Sequence, residues 1–102
     1  MALVGAFLPQ ANTVNVAVSN TSAAVALGTL YGTTGQQVRV YNNSSQAVFI
    51  AFGGSTVTAS LTTSMPLPPG DVEVFNCTGS SYIAVIAAAA GGTVYATLGE
   101  GM

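Results

Sequence analysis

The architecture of this 102-residue chain is predicted most directly by one stretch, Val38-Arg39-Val40-Tyr41-Asn42-Asn43-Ser44-Ser45-Gln46-Ala47-Val48-Phe49-Ile50-Ala51-Phe52. Its first residues alternate with the period of a half-buried strand, with Val38 and Val40 facing inward and Arg39 and Tyr41 outward. Five good turn formers follow. The last six residues are apolar on both faces, as in a central strand or in one that a neighbour covers. The stretch therefore predicts a β-hairpin.

The rest of the chain repeats this alternation of short strands and turns. Three prolines between residues 66 and 69 predict an ordered loop, because proline has no N–H to donate to a regular ladder. Gly91-Gly92 predicts the turn of a second hairpin, with Val94, Ala96 and Leu98 facing inward. The further strands are predicted at residues 12–18, 23–27, 55–61, 71–75, 81–90 and 93–98.

Seven or eight short strands at intervals of about ten residues are typical of an all-β, two-sheet antiparallel β-sandwich. A jelly roll is the preferred topology, and an immunoglobulin-like Greek key is the alternative. The length fits one domain. We predict a single β-sandwich domain over residues 13–102, preceded by residues 1–12 as either an N-terminal arm or a first strand of the same sandwich.

Charge is scarce: 4% of the residues are charged, whereas soluble domains carry roughly 25%. With Arg39 as the single basic residue, the chain cannot neutralise a phosphate backbone, so we expect no nucleic-acid partner. The sequence has no histidine, one cysteine and three carboxylates, too few groups for most catalytic and metal sites. No cofactor and no metal are predicted.

The candidate catalytic groups are few, and each has a simpler interpretation. Asp71 and Glu73 project from one face of a strand, about 6.6 Å apart along it, a spacing compatible with glycoside hydrolysis. A charged, protected edge strand, with Arg39 as a candidate partner, is the favoured interpretation. Cys77 has no histidine to activate it, and the serines and threonines have neither histidine nor lysine. We predict that the protein is not an enzyme.

The N-terminus indicates neither export nor membrane insertion. Its apolar run has no preceding lysine or arginine and is interrupted at Pro9, unlike a signal peptide. The longest apolar stretch, residues 82–90, is far shorter than the ~20 residues of a membrane helix. We therefore expect synthesis in a cytoplasm and use in an assembly, with no membrane partner. Without export, the sequons are interpreted as turn residues rather than glycosylation sites; they lie at Asn20, Asn42, Asn43 and Asn76.

Four tyrosines allow a sugar-stacking platform, as in a carbohydrate-binding module. The alternative interpretation places the same rings at interfaces or strand ends, where an apolar ring and a hydrated hydroxyl both find partners. These residues are Tyr31, Tyr41, Tyr82 and Tyr95.

The missing charge favours an assembly subunit. Sheet edges are normally protected by charge or coverage, and here two strands are apolar on both faces, so we expect neighbouring subunits to cover them. The apolar segment 1–10 suits an extended arm lying on a partner. The predicted interface residues are Leu3, Val4, Phe7 and Leu8 on this segment, and Tyr41 and Phe49 on exposed strand faces.

Three segments carry a family resemblance: residues 38–53, with the Asn/Ser turn between two strands; residues 66–75, Pro-Leu-Pro-Pro-Gly-Asp-Val-Glu-Val-Phe; and the ending at residues 94–101. Over roughly residues 36–101 the chain resembles small bacteriophage virion structural proteins, most of all head decoration (cement) proteins.

The resemblance implies a homo-oligomer, with a trimer expected, that binds the major capsid protein or other virion proteins and bridges capsid subunits. It implies a virion location after synthesis in the host cytoplasm. A phage tail, collar or fibre component, a carbohydrate-binding module for host attachment and a cross-β fibre-forming surface protein are the alternatives.

Overall fold

The computed structural model of the protein describes residues 7–28, 36–77 and 79–101. The regular structure in these ranges is entirely β. Its eight strands are β1 (Phe7–Ala17), β2 (Ala23–Ala26), β3 (Gln36–Asn43), β4 (Val48–Gly53), β5 (Met65–Leu67), β6 (Val72–Asn76), β7 (Tyr82–Ala87) and β8 (Thr93–Gly101).

The strands form two four-stranded antiparallel sheets. Sheet A has the order β1-β8-β3-β6 and sheet B the order β2-β7-β4-β5. The chain passes from one sheet to the other at every connection except that between β4 and β5. This is the strand order of a jelly roll. The predicted two-sheet sandwich is confirmed, and the jelly roll is the topology found rather than the immunoglobulin-like alternative.

Both predicted hairpins are wrong. Strand β3 lies in sheet A and β4 in sheet B, and β7 and β8 are divided between the sheets in the same way. Turn residues show that the chain reverses, but a corner between two sheets needs the same turn chemistry as a hairpin. The corner is favoured because it places the inward valines of β3 across a shared core from the inward Val48 and Ile50 of β4.

The predicted strand at residues 55–61 is also wrong. Those residues form turns and irregular loop, and the strand at this point of the sheet is the short β5, which contains Pro66. Pro66 lies opposite Phe49 of β4 at the edge of sheet B. An edge strand needs ladder hydrogen bonds on one side only, so it tolerates a proline.

The core lies between the two sheets. Alternate residues of the long strands form this core. The inward orientation that the sequence predicted for Val38 and Val40 of β3, and for the inward residues of β8, is confirmed. The fully buried aliphatic side chains include Leu27, Val38, Val40, Val48, Leu67, Ile83, Val85, Val94 and Leu98.

Asn42 is a buried polar residue that joins two corners of the sandwich. Its Nδ2 donates to the carbonyl oxygens of Gln46 (2.9 Å), Leu67 (3.0 Å) and Pro68 (2.9 Å). Its Oδ1 accepts a hydrogen bond from Ser44 Oγ at 2.6 Å. The side chain is completely buried, so the sequon at this position has a structural role.

Candidate interaction surface

The outer face of sheet A is built from two cross-strand rows. Residues that lie opposite each other in an antiparallel ladder share a face of the sheet, and the alternate residues here point into the core. One row is Thr13, Thr97, Arg39 and Val74, and the next is Asn15, Tyr95, Tyr41 and Val72.

Two tyrosines stack at the centre of this face. The ring centroids of Tyr41 and Tyr95 are 6.1 Å apart, with an angle of 18° between the ring planes. Tyr41 Oη donates to Asn43 Oδ1 at 3.3 Å. Of the other tyrosines predicted for a platform, Tyr82 belongs to sheet B and Tyr31 lies outside the described residues. The structure therefore brings two of the four rings together.

A groove lies beside the tyrosine pair. The described residues that line it include Pro9, Thr13, Arg39 and Thr97, and its volume is about 470 Å³. The hydroxyl oxygens of Thr13 and Thr97 are 2.6 Å apart and share a hydrogen bond. Arg39 is exposed and is the one basic residue of the sequence. The groove, which we call the Arg39 groove, thus combines a guanidinium fork with two hydroxyls.

Strand β6 forms one edge of sheet A and exposes apolar side chains. Val72 is 38% exposed and Val74 is 44% exposed. Soluble proteins commonly protect such edges with lysines, prolines or inward-pointing charges. The charged residues here are Glu73 on β6 and Asp71 directly before it. We call these two carboxylates, together with Val72 and Val74, the β6 edge.

Asp71 and Glu73 interact with each other rather than with Arg39. A hydrogen bond that the protonated Glu73 carboxyl donates to the Asp71 side chain and the repulsion between the two charges raise the pKa of Glu73 above its ordinary value, and slight desolvation adds to this. Glu73 lies opposite Val40, whereas Arg39 lies opposite Val74, so the cation and the carboxylates occupy opposite faces of the sheet. The predicted pairing with Arg39 is wrong, because strand alternation separates the groups.

The outer face of sheet B is apolar, and the chain itself covers part of it. A Cβ placed on Gly53 would lie 3.1 Å from Val57 Cβ, and Ala59 N donates to Ser22 Oγ at 2.8 Å. The loop of residues 54–64 therefore runs from β4 toward β2 across β7, consistent with the complete burial of Ala84 on that face. This internal cover replaces part of the coverage expected from neighbouring subunits.

The predicted interface residues have different placements. Tyr41 and Phe49 are half-buried, on the outer faces of sheets A and B. Phe7 and Leu8 lie in β1, opposite Gly101 and Glu100 of β8, and their side chains lie outside the described part. Leu3 and Val4 also lie outside the described residues.

Sequence reasoning missed Val72 and Val74 as candidates. The sequence does contain a signal for them. Each valine directly follows an acidic residue in a strand after a Pro-Gly turn, and strand alternation puts the valines on the face opposite the carboxylates. The sheet order confirms the edge strand that the sequence predicted here.

Cys77 is buried beside Gln36. Gln36 Nε2 donates to the Cys77 carbonyl oxygen at 3.4 Å, and burial raises the pKa of the thiol although the contact with Gln36 lowers it in part. A buried thiol with a raised pKa is a poor nucleophile.

Within residues 7–28, 36–77 and 79–101, no three histidine, cysteine, aspartate or glutamate side chains are placed to hold a metal ion. The same part of the chain contains no helix of the length and apolar character that crossing a membrane requires.

Comparison with known proteins gives a likeness of fold. The chain is similar to a protein of Bacillus endospore appendages, described as a novel family of disulfide-linked pili, with a TM-score of 0.54 and 14% identity over 96% of this chain and 90% of that chain. It is also similar to a de novo designed double-stranded β-helix, with a TM-score of 0.47 and 13% identity over 88% of this chain and 99% of that one. No family model and no curated protein sequence matches the chain.

Proposed function

We propose that this chain is a non-enzymatic structural subunit that assembles with further copies of itself. The observation that carries the proposal is the β6 edge, where Val72 and Val74 are exposed on an edge strand of a chain with 4% charged residues. Apolar side chains exposed on an edge strand favour association with another copy, and the scarcity of charge over the rest of the chain adds to this.

Repetition supplies the strength of such an assembly. Burying one valine contributes about 1.5 kcal/mol at most, so a single contact of this size is weak. In a closed or filamentous array each subunit makes the contact more than once, and linked weak contacts become collectively strong. A small subunit with one shallow apolar edge suits this arrangement.

The proposed contacts are noncovalent. The similar pilus family is described as disulfide-linked, but the one cysteine of this sequence, Cys77, is buried and its thiol pKa is raised. We therefore expect subunits to be joined by noncovalent contacts between their surfaces rather than by a disulfide bond.

The more specific form of the proposal is a virion decoration protein that bridges capsid subunits, with a homotrimer as the expected unit. The resemblance of residues 36–101 to head decoration proteins supports it. A tail, collar or fibre component is the alternative within the same class, and the fold likeness to a pilus protein supports an extracellular filament equally.

A carbohydrate-binding module is the second candidate. The stacked Tyr41 and Tyr95 beside the Arg39 groove favour it, because aromatic rings on a flat sheet face are a common sugar platform. Retention of the purified protein on a glycan array, lost in Tyr95→Ala, would support this candidate over the structural one.

Light scattering and negative-stain electron microscopy of the purified chain test the proposal. We expect regular particles or filaments for the wild type. Val72→Thr/Val74→Thr, which keeps β-branched side chains of similar size, is expected to reduce assembly.

Leu61→Thr is the matched control, because Leu61 is 42% exposed but lies on the loop of residues 54–64. Wild-type protein that stays as single chains would contradict the proposal. Co-sedimentation with empty capsids separates a decoration protein, which binds them, from a self-assembling filament, which does not.

A further inference from the structure

The geometry points to a specific contact between copies: the Arg39 groove of one subunit receives the Asp71–Glu73 pair on the β6 edge of the next. This inference rests on the proposed structural role and names the surfaces through which subunits join. The occupant of the groove is thus a second copy of this chain.

The charges of one copy cannot satisfy each other. Arg39 projects from the outer face of sheet A. Glu73, whose ladder partner is Val40, projects from the other face of the same sheet. Among the described side chains no ion pair involves Arg39, and the two carboxylates repel each other, as the raised pKa of Glu73 records. Both the cation and the acidic pair are therefore left for a neighbour.

The groove has the chemistry to hold a carboxylate. An arginine fork binds a carboxylate through two parallel N–H···O hydrogen bonds, and the hydroxyls of Thr13 and Thr97 lie in the same groove. The volume of about 470 Å³ exceeds what one or two acidic side chains need.

The two surfaces differ, so the contact is head-to-tail. A pair joined in this way keeps one free groove and one free edge, so the contact builds a ring when the rotation closes and a filament when it does not. Val72 and Val74 project from the face of β6 opposite Glu73, and in the ladder they pair with Tyr41 and Arg39, so they lie beside the Arg39 groove rather than beside the acidic pair. The charges therefore fix the orientation of the contact.

Charge exchange tests the contact. Arg39→Glu makes the groove repel the acidic pair, and Asp71→Lys/Glu73→Lys makes the edge repel the groove, so each variant alone is expected to stay dispersed. An equal mixture is expected to assemble, because the acidic groove accepts the basic edge and the native groove accepts the native edge. The mixed particles should contain the two variants in alternation and at equal amounts.

Two controls accompany the exchange. Thr63→Glu adds a charge at an exposed loop residue away from both surfaces and is expected to assemble like the wild type. Arg39→Gln removes the cation without reversing it and should raise the concentration for half-assembly at least tenfold, the loss expected of one charge-assisted contact. Circular dichroism of each variant checks that the sandwich is retained.

The outcomes separate this contact from the proposed function. A mixture that remains dispersed while both folded variants and the wild type behave as expected would overturn the contact, as would single variants that assemble normally, and the structural role would stand. Loss of glycan retention in Arg39→Glu with unchanged assembly would also overturn it. A wild type that never assembles would remove the structural role itself.

Discussion

Replacing Asn42 removes the polar residue that joins the corner after β3 to the corner before β6. In Asn42→Ala the carbonyl oxygens of Leu67 and Pro68 lose their side-chain donor, and the carbonyl oxygen of Gln46 loses one of its two. The Ser44 hydroxyl loses its 2.6 Å acceptor, although it keeps its bond to the Gln46 carbonyl oxygen at 2.9 Å. The variant also leaves a cavity, because the asparagine side chain is completely buried.

The magnitude follows from the number of amide hydrogens. Asn42 has two of them, which satisfy three carbonyls, so about two hydrogen bonds are lost at ~1 kcal/mol each, and buried acceptors left without a donor cost a further ~1–2 kcal/mol. The expected loss in the free energy of unfolding is about 3–4 kcal/mol. That is a large part of the ~5–15 kcal/mol typical of a domain.

Urea unfolding followed by circular dichroism measures this loss. Asn43→Ala is the matched control, since Asn43 is the exposed neighbour and makes one hydrogen bond, at 3.3 Å, to Tyr41; its cost should stay within about 0.5 kcal/mol. Asn42→Asp keeps the acceptor and loses the donor, and it should lose at least as much as Asn42→Ala at pH 7. A loss of unfolding free energy below about 1 kcal/mol in both Asn42 variants would show that the buried amide does not stabilise the two corners.

Three other perturbations have defined outcomes. Gly92→Ala should destabilise more than Gly91→Ala in the same urea assay. Both glycines have positive φ, but a Cβ on Gly92 would clash with Ser44, whereas a Cβ on Gly91 meets nothing within 4 Å. Equal losses of unfolding free energy in the two variants would contradict the clash. Cys77 is buried and its thiol pKa is raised, so its rate of alkylation should be limited by local opening of the fold. Rapid labelling of the native protein would contradict this expectation. The pKa of Glu73 is raised in the folded state, so its contribution to stability is full below the ordinary carboxyl pKa and is lost as pH rises through the raised pKa. Glu73→Gln should therefore flatten the fall of the thermal midpoint with pH between these two pKa values. An unchanged pH profile would argue against the repulsion.

Strand positions were predictable because alternation is a local property. The inward valines of β3 and the inward residues of β8 follow from the period of two, and the structure buries them. Sheet membership was not predictable in the same way. The Asn/Ser and Gly-Gly turns reverse the chain at a corner as well as in a hairpin, and burial between two sheets selects the corner.

The surface was less accessible to sequence reasoning than the core. Apolar residues on both faces of β4 and β7 predicted cover by neighbouring subunits, but the loop of residues 54–64 supplies part of that cover over Ala84. A Thr-rich loop and a Thr-rich strand have similar composition, so the sequence did not distinguish them. The exposed valines of β6 follow from its place at the end of the sheet order.

Sedimentation velocity of the unmodified chain over a hundredfold range of concentration tests the structural role most directly. The account predicts a sedimentation coefficient that rises with concentration and ends in a discrete large species. A single boundary of one folded chain at every concentration would contradict it.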